Sequence, residues 1–237
     1  GGPAVTVRFL TRTPDTQLAA VDAAGQVSGV SPGMAKITAT TEEGGFSAVC
    51  IVTVAEPKGE WTDIANHPAK DVILKALELG FVSGYPDKTF KPDNDITRAE
   101  FSTMLLKALK SPEPGSPLAF KDTDKIGAWA VPAVQQAVKL GIISGYQDGT
   151  FRPNANITHA EMIAMVVRAS GLTVDPAAKT TFADDQDIPG WAKPAAATAQ
   201  QSGITFGGKL DNRFAPQALS TRAEAVSSIV GMLAVKK

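Results

Sequence analysis

The chain has 237 residues and a mass of 24.7 kDa, room for one large domain or two to three small ones. Its 23 basic and 24 acidic side chains leave a net charge of −1, which speaks against a chain built to coat nucleic acid or to insert into or cover an anionic membrane. A single Cys (Cys50) and two well-separated His (His67 and His159) exclude an internal disulfide and offer no ligand cluster, so neither metal nor cofactor is expected. No run approaches the roughly 18 apolar residues of a membrane-spanning helix. No basic segment followed by an apolar one opens the chain, so any secretion signal is expected outside it or already removed.

Residues 1–55 alternate apolar and polar side chains and favour β-branched ones: Val5–Phe9, Ala19–Val21, Gln26–Val30, Ala35–Thr40 and Phe46–Val54. Turn pairs such as Ala24-Gly25, Pro32-Gly33 and Gly44-Gly45 separate them, which predicts a small antiparallel all-β module. It is shorter than a sandwich of about 100 residues, so it is expected to be either incomplete or a compact module. Cys50, within an apolar strand, is expected to be a buried thiol. Residues 56–60 form a linker.

From residue 61 one pattern recurs. Gly84-Tyr85-Pro86-Asp87-Lys88-Thr89-Phe90-Lys91-Pro92 returns as Gly145-Tyr146-Gln147-Asp148-Gly149-Thr150-Phe151-Arg152-Pro153, and loosely as Gly208-Lys209-Leu210-Asp211-Asn212-Arg213-Phe214-Ala215-Pro216. Each Phe precedes, by the same interval, a Thr-x-x-Glu: Thr97 to Glu100, Thr158 to Glu161 and Thr221 to Glu224. Upstream stand Trp61 with Asp63, Phe120 with Asp122, and Phe182 with Asp184. Three units of about 60 residues follow, at 61–116, 117–178 and 179–237.

Each unit reads as helix, loop, helix. The first helices are expected near 69–79, 129–140 and 191–202, each followed by a glycine (Gly80, Gly141, Gly203) suited to a left-handed close. The second begins at the Thr, because Thr-x-x-Glu is a capping box. Ile96 with Phe101, and Ile157 with Met162, form hydrophobic staples that Ser220 and Ala225 lack. One apolar stripe follows on each second helix, for example Phe101, Met104, Leu105, Ala108 and Leu109. Units this small are marginal alone, so a closed pseudo-threefold body that covers the stripes is the economical solution.

These ordered motifs resemble the S-layer homology repeat over residues 61–237. The β segment, through Val21–Val30 and Ile37–Thr40, resembles a bacterial Ig-like domain of the Big2 type. The resemblance implies a mainly α fold: three repeats forming a pseudo-trimer around a central helical bundle, preceded by the Ig-like module. It also implies a secreted, non-catalytic anchor at the bacterial cell wall or S-layer. Its ligand would be a secondary cell wall polymer carrying pyruvylated N-acetylmannosamine, held in grooves between repeats. The Arg after the capping Thr is the family's main contact, which maps onto Arg98 and Arg222; His159 replaces it in the second repeat. The alternative is a structural segment of a surface-layer protein acting in lattice self-assembly.

The chemistry of the residues fits an anionic sugar. An Arg in the first helical turn stands where free amides and the helix dipole favour an anion, and its planar fork suits a carboxylate. Tyr85, Tyr146, Trp129 and Trp191 offer faces for a sugar ring. Gly84, Gly145 and Lys209, from the Gly-Tyr position of the loop, complete the candidates. Asp63, Asp122 and Asp184 are expected either to cap or fix the first helix or to touch ligand. His159 either binds an anion when protonated or marks a weakened site. The three recurrent Glu are read as caps, and no Gly-x-Ser-x-Gly or Walker loop suggests catalysis.

Overall fold

The computed structural model describes residues 9–13, 16, 19–22, 24–29, 33–41, 45–54, 61–111, 115–205 and 212–236. The chain divides into two compact units, Gly1–Glu60 and Trp61–Lys237.

In the first unit, β1 (Phe9–Arg12), β4 (Gly33–Thr41) and β5 (Ser47–Val54) form an antiparallel sheet in the order β1-β4-β5, while β2 (Ala19–Val21) pairs with β3 (Val27–Gly29). The all-β expectation holds. Residues 5–8 of the first expected strand lie outside the described residues, and β1 runs on through Arg12. Alternation turns Ala35 and Ile37 inward, where they pack with Ala19, Val21 and Val52. Met34, Val49 and Ile51 on the other face are exposed. The expectation of a buried thiol fails: Cys50 is exposed. It lies opposite Ile37 on β5, an edge strand of the sheet, where no described residue covers it.

The second unit is helical: α1 (Lys70–Leu79), α2 (Arg98–Leu109), α3 (Val131–Lys139), α4 (His159–Ser170), α5 (Lys193–Gln201) and α6 (Arg222–Val235). Single 3-10 turns at Thr123–Lys125 and Asp185–Asp187 precede α3 and α5. The central helices α2, α4 and α6 pack on one another. Each outer helix packs on the central helix of the preceding repeat: α3 on α2, α5 on α4, and α1 back on α6, which closes the ring. The expectation of a single apolar stripe therefore fails for the central helices. From Met162 to Val167 every residue of α4 is buried, because two central helices and one outer helix surround it.

All three capping boxes are complete, with Thr97, Thr158 and Thr221 as caps. The residues before them lock the repeats together. The Ile96 amide donates to Ser220 O (3.1 Å), the Ser220 amide to Ile157 O (2.8 Å), and the Ile157 amide to Ile96 O (3.0 Å). This closed triangle of backbone bonds joins the starts of the three central helices. No helix among the described residues is long and apolar enough to cross a membrane.

Candidate functional site

At the start of each central helix that repeat meets the loop of the next, and this junction is the groove of that helix. The first amides there are engaged. Arg98 N donates to Ala155 O (2.9 Å) and Ala99 N to Pro153 O (3.1 Å). His159 and Ala160 repeat this on Ala218 and Pro216, and Arg222 and Ala223 on Asn94 and Pro92. The third amide takes the capping Thr oxygen. The expectation of free amides for an anion is thus corrected: the next repeat's carbonyls fill that end of the helix, and any anion must be held by side chains.

The loop that walls each groove hangs on an aspartate. Asp122 accepts the amides of Phe151 and Arg152, both at 2.8 Å; Asp184 accepts those of Phe214 and Ala215, both at 2.7 Å; Asp63 accepts those of Phe90 and Lys91. The second residue of each pair is left-handed without being glycine: Lys91 (φ 57), Arg152 (φ 58) and Ala215 (φ 49). Two charge-assisted bonds hold that strained turn. The aspartates do not cap α1, α3 or α5, whose caps make no side-chain bond. Burial pushes the carboxyls of Asp122 and Asp184 up, but the two loop amides outweigh it and their pKa values are lowered. Gly84 and Gly145 have a packing reason as well. A Cβ on Gly84 would stand 1.9 Å from the Trp61 ring, and one on Gly145 2.6 Å from Phe120.

Four of the candidates meet in one cavity of about 650 Å³: Arg98, Gly145, Tyr146 and Trp191. Arg98 forms its floor at 6% exposure. Its Nε donates to Phe151 O (2.9 Å) and its Nη1 lies 3.6 Å from Glu161. The guanidinium lies over the rings of Tyr146 (4.7 Å) and Phe151 (5.2 Å). Nη2 is the donor left to grip a ligand, beside the Glu161 carboxylate. Tyr146 donates its hydroxyl to Glu161, and burial together with that bond pushes its pKa to about 12. Trp191, arriving from the third repeat, is 58% exposed at the rim.

Arg222 sits alike against the first repeat's loop, over Tyr85 (5.1 Å) and Phe90 (4.7 Å). Its Nε donates to Phe90 O (3.0 Å) and its Nη2 to Ser83 O (3.2 Å), so one of its two forks is occupied by carbonyls. Trp129, at the place equivalent to Trp191, is 60% exposed. His159 is 2% exposed, with Nδ1 3.0 Å from Phe214 O and Nε2 3.3 Å from Glu224. Burial pushes the imidazole pKa down, but the Glu224 bond and charge and the carbonyls of Phe214 and Ala215 outweigh it, so it is raised. Lys209 lies outside the described residues.

Sequence reasoning missed three members of the Arg98 cavity. Arg152 lies over Tyr146 at 4.0 Å and pairs with Asp148 at 2.8 Å. Arg168 lines the cavity and donates to Ile142 O (3.2 Å). Glu161 was read only as a cap, yet it also holds the tyrosine hydroxyl. The signal for Arg152 was present, because its counterpart Lys91 is basic too and lies over Tyr85 at 4.1 Å.

The family model described as S-layer homology domain matches residues 62–102, 119–163 and 181–226, and that described as bacterial Ig-like domain (group 2) matches residues 4–52. Among curated relatives, the exoglucanase XynX of Acetivibrio thermocellus is 39% identical over 178 residues, 73% of this chain and 16% of that protein. The cellulosome-anchoring protein of the same organism is 40% identical over 107 residues, 44% of this chain and 24% of that protein. An S-layer protein of Bacillus thuringiensis subsp. finitimus is 30% identical over 198 residues, 82% of this chain and 24% of that protein. The chain spans a quarter or less of each of these proteins.

Proposed function

The chain belongs to the S-layer homology family, and from that premise we propose that its helical unit attaches a longer protein to the cell wall by gripping an acidic saccharide. Its place is the bacterial cell surface, and its role there is anchoring. Enzymatic names among the relatives belong to proteins of which this chain matches 9%, 16% and 17%, and the chain is read as a non-catalytic module within such a protein.

One observation carries the finer reading. A guanidinium lies at the floor of a cavity of about 650 Å³ whose walls include a tyrosine face and an exposed tryptophan. That volume is within the usual range for ligand sites, about 300–1,000 Å³. Arg98 is held by Phe151 O and Glu161 in one pose, so little order is lost when a ligand carboxylate meets its Nη2. Trp191, exposed at the rim, presents an apolar face to a sugar ring, and Tyr146 backs the two guanidiniums that lie over it. Secondary cell wall polymer with pyruvylated N-acetylmannosamine supplies both the carboxylate and the ring. The test is calorimetric titration with a pyruvylated N-acetylmannosamine saccharide and its unpyruvylated twin. Binding of the pyruvylated form alone is expected; equal binding of both would remove the carboxylate from the reading.

Lattice self-association is the second reading, favoured by the match to an S-layer protein over 82% of the chain. Concentration-dependent sedimentation of the polymer-free chain tests it. A monomer at every concentration counts against it.

A further inference from the structure

We infer that the chain has two saccharide sites, in the Arg98 and Arg222 grooves, and that the His159 groove is a sealed seam between the second and third repeats. This rests on the saccharide reading above and goes on to say which grooves serve it.

The ring packing makes the Arg98 groove a composite of all three repeats, and the same packing order relates the other two grooves to it. One repeat supplies the residue after the capping Thr. The next supplies the loop and the face of its central helix. The remaining one supplies the residue two before its outer helix, as Trp191 does beside Arg98. Departures from the repeat pattern that are scattered along the sequence can therefore meet in space, and here they do. The first position holds Arg98, Arg222 or His159. The loop residue after the Phe is Arg152 in the Arg98 groove, Lys91 in the Arg222 groove and Ala215 in the His159 groove. One helical face position reads Arg168, Lys107 and Gly231 in the same order. The residue two before the outer helix reads Trp191, Trp129 and Pro68. Four changes, drawn from three repeats, take from a single groove its guanidinium, two further cations and its exposed ring; a fifth, Lys209 in place of the loop Tyr, lies outside the described residues.

Among the described residues, the polar side chains that remain in that groove face the protein. His159 Nδ1 meets Phe214 O as Arg98 Nε meets Phe151 O, but the imidazole ends there, with Nε2 beside Glu224. A guanidinium in the same place keeps donors beyond its backbone bond; an imidazole has only two nitrogens and both face the fold. Arg213, in the loop of this groove, lies 4.0 Å from both Asp184 and Asp187, within its own repeat. The His159–Glu224 pair thus joins repeats two and three rather than facing a ligand.

The experiment is the stoichiometry of calorimetric titration with a pyruvylated N-acetylmannosamine saccharide. Two sites per chain are expected. Arg98→Ala and Arg222→Ala should each leave one, the double variant none, and His159→Gln two. Should an Arg variant fail to fold, Trp191→Ala and Trp129→Ala remove exposed rings and should each weaken one of the two sites. Three sites in the parent chain, one site, or saccharide retained by the double Arg variant would overturn the inference while leaving the saccharide reading intact. No binding by the parent chain would overturn both.

Discussion

The Arg98 and His159 grooves are built on one backbone plan and carry different side chains. In both, the amide after the capping Thr meets a carbonyl of the next repeat, at 2.9 and 3.0 Å. An aspartate holds two loop amides in both, and a capping box starts both helices. The Arg98 groove then adds Arg152, Arg168 and Trp191, where the His159 groove has Ala215, Gly231 and Pro68; its counterpart of Tyr146, Lys209, lies outside the described residues. The scaffold depends on Thr, Glu, Asp and main-chain bonds that both grooves keep, although Glu161 also faces the Arg98 cavity. A repeat can therefore lose its site without losing its fold.

The largest expected effect falls on what the grooves share. Asp184→Ala leaves the Phe214 and Ala215 amides without their carboxylate and removes the clamp on a left-handed alanine. Two charge-assisted bonds set the loss on the order of 3 kcal/mol. Asp122→Ala should cost the same, and denaturant unfolding of both variants compares them. A difference well beyond 1 kcal/mol would mean that the two grooves are not built alike. The same carboxylates give the acid limb. Their pKa values are lowered in the fold, so their stabilisation is present above the ordinary carboxylate range and is lost as pH falls through the folded values. The melting temperature should drop steeply below about pH 4 in the parent chain and less steeply in Asp122→Ala.

Next come effects on what the grooves do not share. Arg98→Ala should weaken saccharide binding at its groove by about 1.5–3 kcal/mol, the range for a charge-assisted contact. Unchanged affinity would sink the assignment of Arg98. His159→Arg should leave affinity equal or higher, because one guanidinium does not replace the missing tryptophan and cations; a clear loss would give His159 a ligand role of its own.

The seam should titrate where the Arg98 groove does not. The His159 pKa is raised in the fold, so its contribution is complete below the ordinary histidine value and fades as pH rises through the folded one. Glu224 is the opposite case. Burial pushes it up, the His159 bond and the Thr221 amide outweigh that, and its contribution is lost as pH falls below the carboxylate range. The pair is strongest between these limits. Melting curves from pH 5 to 9 should show a decline in the parent chain that His159→Gln lacks; parallel curves would remove the charged pair from the seam.

Local signals made much of this legible in the sequence. Thr-x-x-Glu named all three central helix starts, because both partners of a capping box lie within one turn. Arg98, Tyr146 and Trp191 were legible as candidates, although only the packing order shows that three different repeats deliver them to one cavity. The aspartates were harder. Asp122 bonds amides around Phe151, and nothing near position 122 announces that partner. The free helix amides were a wrong inference from a correct rule, because the carbonyls that fill them come from a neighbouring repeat. Cys50 failed because an apolar strand implies burial only when something covers it.

The smallest expected effect tests the triangle that joins the repeats. Ile96 and Ile157 occupy two of its corners and are fully buried, as is Ser220 at the third. The Ser220 hydroxyl has no hydrogen-bond partner among the described residues, whereas its backbone amide and carbonyl both serve the ring. A buried hydroxyl without a partner is destabilising, and Ala keeps the backbone bonds while removing it. Ser220→Ala should therefore stabilise the fold by about 1 kcal/mol. For a domain this size that shifts the melting temperature by roughly 2–4 °C. Adding a β-branched residue, Ser220→Val, separates hydroxyl loss from packing. If it gains more than Ala, the corner has room for the staple its counterparts possess; if it loses, the third repeat approaches the axis too closely for an apolar side chain. A lower melting temperature for Ser220→Ala itself would show that the hydroxyl is bonded, through a water molecule, and that the third corner is sealed by polar contact where the others are sealed by isoleucine.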